Sequence, residues 1–325
     1  MKKVVNLIGG DKLVLIFAII AVIAVFTANY PNYFSYQNLN NILVASALVG
    51  LVAIGETYLI IAGQVDLSPG SIAGFSGVLS ALLVFMHVPM VLAIIITIAL
   101  GGMIGYCNSV MVNKLALEAF IATLVAQSAI RGFAYIICSG KPVAINDPNF
   151  IALGSKQILG INVSVWIMLL CFAVFGFILA RTKFGRSVYV VGGNKDAARL
   201  AGLNPQKTIA IAFILMGVLA ALGGMLFAAR MNTGQPSANV NLEFDAITAV
   251  ILGGVSFTGG VGKMTGTVLG LILIQAFNTG LIMINVPSFW QFVAKAALLL
   301  FALSFDYIRK RGTNRQFFKS FFFSK

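Results

Sequence analysis

The chain has 325 residues, 59% of them hydrophobic and only 10% charged, with a net charge of +13 and a mean hydropathy of +0.98. Water-soluble domains carry roughly 45–50% apolar and about 25% charged residues, so the solvent for this chain is lipid, which excludes a soluble enzyme or carrier. The basic excess excludes nucleic-acid binding as well, because Lys and Arg fall in short segments between apolar runs instead of gathering on one face.

Met1–Lys12 followed by apolar Leu13–Ala28 imitates a secretory leader. Without a small-x-small cleavage site, and with many apolar runs downstream, it reads as an uncleaved first helix. Ten apolar windows follow one another: 13–28, 42–62, 71–86, 88–112, 119–138, 163–180, 208–229, 246–261, 264–286 and 289–308. Backbone polar groups in lipid need partners within their own segment, so these windows are helices and not strands. The expected fold is therefore all-α, a polytopic bundle of about ten transmembrane helices. One domain, 1–325, would be embedded over 13–308, with a loop at 181–207 and a basic, aromatic tail at 309–325. The 246–261 window carries Gly253, Gly254, Gly259 and Gly260, and reads either as a span or as a broken, re-entrant helix.

Orientation follows from the basic residues. Ten spans with the N-terminus inside place Lys2, Lys3, Lys12, Lys114, the basic residues of 181–207, Lys263 and those of the tail in the cytoplasm, leaving Lys141 and Lys156 outside. Both termini are then cytoplasmic. The tail, with Phe317, Phe318, Phe321, Phe322 and Phe323 among its basics, is expected to anchor on anionic lipid.

Two stretches interrupt the apolar pattern. In Asp66-Leu67-Ser68-Pro69-Gly70 the acid or the serine can cap a helix whose first position is proline, so one helix ends near Ala62 and another begins near Pro69. The glycine-rich 253–262 stretch is the second break. Paired interruptions expose backbone dipoles to a cavity and are the best sequence pointer to a substrate path. The candidates for that path are Gln64, Asp66, Ser68, Gly253 and Gly254, together with the uncharged hydrogen-bonders Asn108, Gln127, Gln275, Asn278 and Gln291. The pairs Gly70/Gly74, Gly101/Gly105 and Gly266/Gly270 have the spacing of close helix packing.

Glu56, Arg131 and Lys295 lie inside apolar windows, where each costs at least ~2.5 kcal/mol unless paired or snorkelling. An intramembrane ion pair is expected for them, with a coupling site as the competing reading. Cys107, Cys138 and Cys171 are odd in number and share no ligand spacing, and are expected to be small buried hydrophobes. His87, beside Pro89, is expected to be exposed. No catalytic residue, metal site or cofactor is read on the chain. Gly259-Gly260-Val261-Gly262-Lys263-Met264-Thr265 looks like a phosphate loop but fails, because Phe257 and Met264 stand where Walker A needs Gly and Ser or Thr. Nucleotide must then bind on another chain.

The stretch 181–207 is the most informative. Gly192-Gly193 breaks the chain, Asn194 can cap, and Lys195–Ala201 can make two helical turns. Gly202 is a plausible stop, and Asn204-Pro205 opens the next helix. A short polar helix with nothing to bury against is a docking element for a soluble partner.

Asp196-Ala197-Ala198-Arg199-Leu200-Ala201-Gly202 resembles the acidic-Ala-Ala-x-x-x-Gly signature of ABC importer permeases. Further stretches are similar to the ribose/xylose/arabinose/galactoside group of monosaccharide permeases: Gly63–Ser71, Phe120–Leu124 with Arg131-Gly132, Phe184-Gly185-Arg186, Glu243–Ile247 and Gly253–Gly262. Pro69 and Lys263 depart from that pattern. The resemblance implies ATPase coupling through Asn194, Asp196, Ala197, Ala198 and Gly202, and ATP-Mg on the partner ATPase. It also implies a second permease chain, identical or a sister, cytoplasmic ATP-binding subunits and an extracytoplasmic sugar-binding protein. Lys141, Lys156 and Arg230 would meet acidic patches on that last partner. The setting implied is the bacterial inner membrane. A proton-driven secondary transporter using Glu56, Asp66 and Arg131 as a relay is the alternative.

Overall fold

The computed structural model describes residues 10–312. Lys2, Lys3 and the basic, aromatic segment beyond Gly312 lie outside that range. Among the described residues there are thirteen α-helices. They are α1 (Gly10–Asn29), α2 (Tyr36–Ile61), α3 (Pro69–Phe85), α4 (Met90–Asn113), α5 (Ala119–Ile137), α6 (Pro148–Ser155), α7 (Val163–Arg181), α8 (Lys183–Gly193), α9 (Lys195–Leu200), α10 (Pro205–Met231), α11 (Leu242–Leu252), α12 (Met264–Met283) and α13 (Ser288–Gly312). A 3-10 turn (Pro31–Phe34) and two short antiparallel ladders complete the inventory among the described residues. Strand β1 (Val143–Ala144) pairs with β4 (Thr233–Gly234), and β2 (Gln157–Ile158) pairs with β3 (Ile161–Asn162).

Among the described residues, α2, α4, α5, α7, α10 and α12 are long and apolar enough to cross a membrane, while α1, α3 and α13 contribute shorter apolar segments. An all-α membrane bundle is what the composition demands. Helices α2 and α10 form its centre, with 89% and 67% of their apolar windows buried, against 22% for α4. Small residues let the central helices approach so closely. Gly101 and Gly105 of α4 lie against the backbone of Gly217 and Phe213 on α10, and Gly224 of α10 lies against Ala73 of α3, where an added methyl would collide with main chain. The outward faces of α4 and α5 are apolar, with Val91, Ile95, Phe120 and Phe133 exposed, as lipid contact requires.

Several expectations change. The 246–261 window is not one helix: α11 has 11 residues, a rise of about 16 Å against a hydrocarbon core of ~30 Å. The rest of the window is the glycine loop. Part of the 181–207 stretch expected as loop is helix α8, from which Phe184, Val188 and Val191 turn inward onto the core. The cysteines are free thiols but not buried: Cys107 is exposed and the other two are half-buried. His87 is exposed as expected, in a left-handed turn (φ +60°).

Candidate functional site

The stretch after α7 folds as its punctuation dictates. Thr182 caps α8 by accepting from the Gly185 amide, and Asn194 caps α9 by accepting from the Asp196 and Ala197 amides, both at 2.9 Å. Gly202 takes the left-handed turn (φ +78°) that ends the motif. Asn204 then caps α10 through the Lys207 amide, with Pro205 in its first turn. One expectation fails: α9 does bury something. Ala198 is fully buried and joins the main core, so the helix is seated and not merely solvated. Asp196 and Arg199 point outward, and Leu200 is 91% exposed. It is the one large apolar side chain that this short helix turns outward. Leu200 went unnoticed in the sequence because a lone leucine in a six-residue helix gives no periodic signal.

The first break forms a buried polar knot. Neither Asp66 nor Ser68 caps α3 with its side chain. Instead the Asp66 carboxylate turns back on its own loop, where Oδ1 accepts from the Ser68 amide (2.7 Å) and hydroxyl (2.6 Å). Asn108 of α4 donates to Ser68 Oγ (2.9 Å), and the Leu67 amide donates to Thr123 of α5 (3.0 Å). Gln127, a turn further along α5, donates to Glu243 in the first turn of α11 (2.9 Å). Arg131, a turn beyond, donates to the carbonyls of Pro236 (2.7 Å) and Ala238 (2.6 Å). Gln127 and Arg131 stand about 12 Å and 18 Å along α5 from its start at Ala119. The chain between α10 and α11 therefore runs into the bundle, and α11 begins part-way through its thickness. The first turns of α3 and α11 meet there, with Gly70 directly against Glu243 and the Asn239 carbonyl. Gly70 and Gly74 thus make room for Glu243 and Arg131, not for a packed helix, whereas Gly101/Gly105 and Gly266/Gly270 do pack helices.

The remaining candidates are dispersed. Gln64 donates to the neighbouring Gly63 carbonyl (2.7 Å). Gly253 packs against Gly266 at the α11–α12 contact, and Gly254 makes the left-handed turn (φ +85°) after α11. Gln275 and Asn278 are buried on α12, each with one polar atom lacking a partner among the described residues. Their helix packs against α1, α2 and α11, apart from the Asp66 knot. Of the three intramembrane charges, Lys295 pairs with Asp245 at 2.7 Å, as expected. Arg131 is held by carbonyls. Glu56 is fully buried, and neither of its oxygens has a hydrogen-bond partner among the described residues. Thr123 and Glu243 complete the knot; a first-turn acid in an apolar helix was the available signal for the second.

Lys141, Lys156 and Arg230 share one end of the bundle. Lys141 precedes β1, which pairs with β4 just beyond Arg230, and Lys156 follows α6, whose Gly154 lies against the Arg230 amide. All three are exposed.

The family described as branched-chain amino acid transport system / permease component matches residues 38–303. The chain belongs to that family. This permease is 36% identical over 274 residues to the L-arabinose ABC transporter permease protein of Azospirillum brasilense, covering 84% of this chain and 81% of that protein. It is likewise 36% identical to the ribose import permease protein of Haemophilus influenzae, with coverage of 83% and 85%. To the L-arabinose transport system permease protein of Escherichia coli (strain K12) it is 33% identical over 275 residues, covering 85% and 84%. No solved structure matches the chain. The matched range contains the knot, the 181–207 stretch and the glycine loop, so the permease carries its polar features within the family's common region.

Proposed function

We propose that this permease is the membrane-spanning subunit of an ATP-driven importer that carries a monosaccharide, a ribose-type pentose or a hexose, across the bacterial inner membrane. ATP hydrolysis belongs to a separate subunit. The arabinose and ribose permeases to which the chain is similar support the sugar class. The observation that carries the reading is the α9 knob, capped at Asn194, seated by Ala198, and presenting Asp196, Arg199 and Leu200 outward.

In this reading the whole chain acts as one domain of about ten crossings with both ends in the cytoplasm, and it pairs with a second permease, identical or a sister. Two ATPases receive the α9 knobs, and a sugar-binding protein meets Lys141, Lys156 and Arg230 on the opposite face. Nucleotide binding draws the ATPases together and pulls the knobs with them. The permease need only possess two packings of similar energy, which the partners bias by binding one better than the other. Sugar hydroxyls would be handed along the uncharged donors and acceptors around Asp66, Ser68, Asn108 and Gln127, exposed when the first turns of α3 and α11 separate. The proton-relay alternative loses two of its members to other duties, since Asp66 is committed to Ser68 and Arg131 to carbonyls.

Co-purification of the permease with its ATPase tests the reading. Leu200→Asp combined with Asp196→Leu should leave the permease folded, because both positions are exposed and such changes cost less than about 0.5 kcal/mol, yet abolish ATPase capture and sugar uptake. An intact complex with undiminished uptake would defeat the proposal.

A further inference from the structure

Three separate pieces of chain meet at the root of α9 with no side chain between them. Gly192, two residues before the Asn194 cap, lies so close to the Ile61 carbonyl at the end of α2 that a methyl group there would collide with it. The Gly260 amide donates to that same carbonyl (2.8 Å). A methyl on Gly259 would stand 2.7 Å from the Gly192 oxygen and 3.1 Å from the Gly63 Cα, and one on Gly260 would stand 3.0 Å from the Gly193 Cα. Gly63, Gly259 and Gly260 are all left-handed (φ +75°, +86° and +72°), so both loops need glycine for their turns as well as for their proximity. From α8, the Tyr189 hydroxyl adds a bond to the Gly262 carbonyl (2.9 Å).

The pieces joined here are the ones a power stroke must reach. Gly63 leads in three residues to Asp66 and so to the first turn of α3, while Gly260 lies on the loop that leaves α11. We infer that Gly192 and Gly260 are positioning residues for transport, clamping the root of α9 against the ends of both interrupted helices so that a displacement of α9 reaches α3 and α11 undiminished. Main chain in contact with main chain has no rotamers to absorb a push, and close-packed elements shift between discrete arrangements and do not deform gradually. The neighbouring glycine supplies the control: a methyl on Gly193 meets nothing within 4 Å. The inference rests on the importer reading and specifies where its stroke enters the membrane part.

The test uses the full complex of permease, ATPase and sugar-binding protein in liposomes, measuring sugar imported per ATP hydrolysed on each preparation. Because this ratio counts only assembled, hydrolysing complexes, loss of folded protein does not move it. Gly192→Ala should lower it roughly tenfold, as loss of a coupling contact can, while hydrolysis continues; Gly193→Ala should leave it at the wild-type value. Tyr189→Phe, which deletes one hydrogen bond and no packing, should lower it about threefold, and it remains decisive if Gly192→Ala fails to assemble. A wild-type ratio in Gly192→Ala, or in Tyr189→Phe where that variant alone assembles, overturns the inference while leaving the importer intact. A wild-type complex whose hydrolysis ignores the loaded binding protein would instead bring down the importer reading, and the inference with it.

Discussion

Both interruptions of the helical pattern converge on neighbours, yet they are built from opposite materials. At the knot, side chains do everything: Asp66, Ser68, Asn108, Thr123, Gln127, Arg131 and Glu243 fill the space where α3 and α11 begin. At the root of α9, side chains are missing, and Ile61, Gly192 and Gly260 touch through bare backbone. In the proposed importer the difference would separate two tasks that hydropathy alone merges. A region that must grip a polar solute needs donors and acceptors with somewhere to turn. A region that must pass on a movement needs contact without slack.

Three substitutions, two in the knot and one at the buried Glu56 outside it, probe how far the knot depends on its side chains. The largest effect is expected from Arg131→Ala, which strips the Pro236 and Ala238 carbonyls of their donor inside the bundle. A loss of about 3 kcal/mol is expected for such buried groups left unpaired, read as a drop in the thermal midpoint of purified permease. An unchanged midpoint would mean that water reaches those carbonyls and that the descending segment is not held from α5. Asp66→Asn should cost less, about 1–2 kcal/mol, since it weakens one doubly accepting oxygen and keeps the shape of the loop. Its uptake rate should fall more than its stability does if the knot opens during transport; equal falls would make Asp66 purely structural. The smallest effect is expected from Glu56→Gln. With neither oxygen partnered among the described residues, the isosteric amide should change stability by no more than about 1 kcal/mol and leave ATP-driven uptake intact. Abolished uptake in that variant, with normal ATPase capture, would return Glu56 to the centre of the transport chemistry.

Much of this was legible beforehand, for local reasons. The end of α2 near Ala62, the start of α3 at Pro69, the Asn194 and Asn204 caps and the Gly202 stop are all decided by residues within a few positions of each other. What stayed hidden depends on distant chain. Helix α8 is only 11 residues long and looks like loop until its apolar side finds the core. The ladders joining β1 to β4 and β2 to β3 are two residues per strand, too short for alternation to register. The inward course of 232–241 has no periodicity at all; it is set by Arg131, more than a hundred residues away in sequence. The 253–262 glycines were legible as a break but not as an abutment, because the surface they rest on is contributed by Ile61 and Gly192.

In the proposed importer the β1–β4 ladder would serve as a fulcrum. It ties the segment leaving α5 to the segment leaving α10, at the end of the bundle opposite α9. A helix fastened at one tip and pushed at the other turns about the fastening, so each point travels in proportion to its distance from that fulcrum. Helix α10 is placed in this way, starting at Pro205 shortly after α9 and ending at Met231 beside β4. Under the proposed stroke, points along α10 would move less the nearer they lie to the ladder.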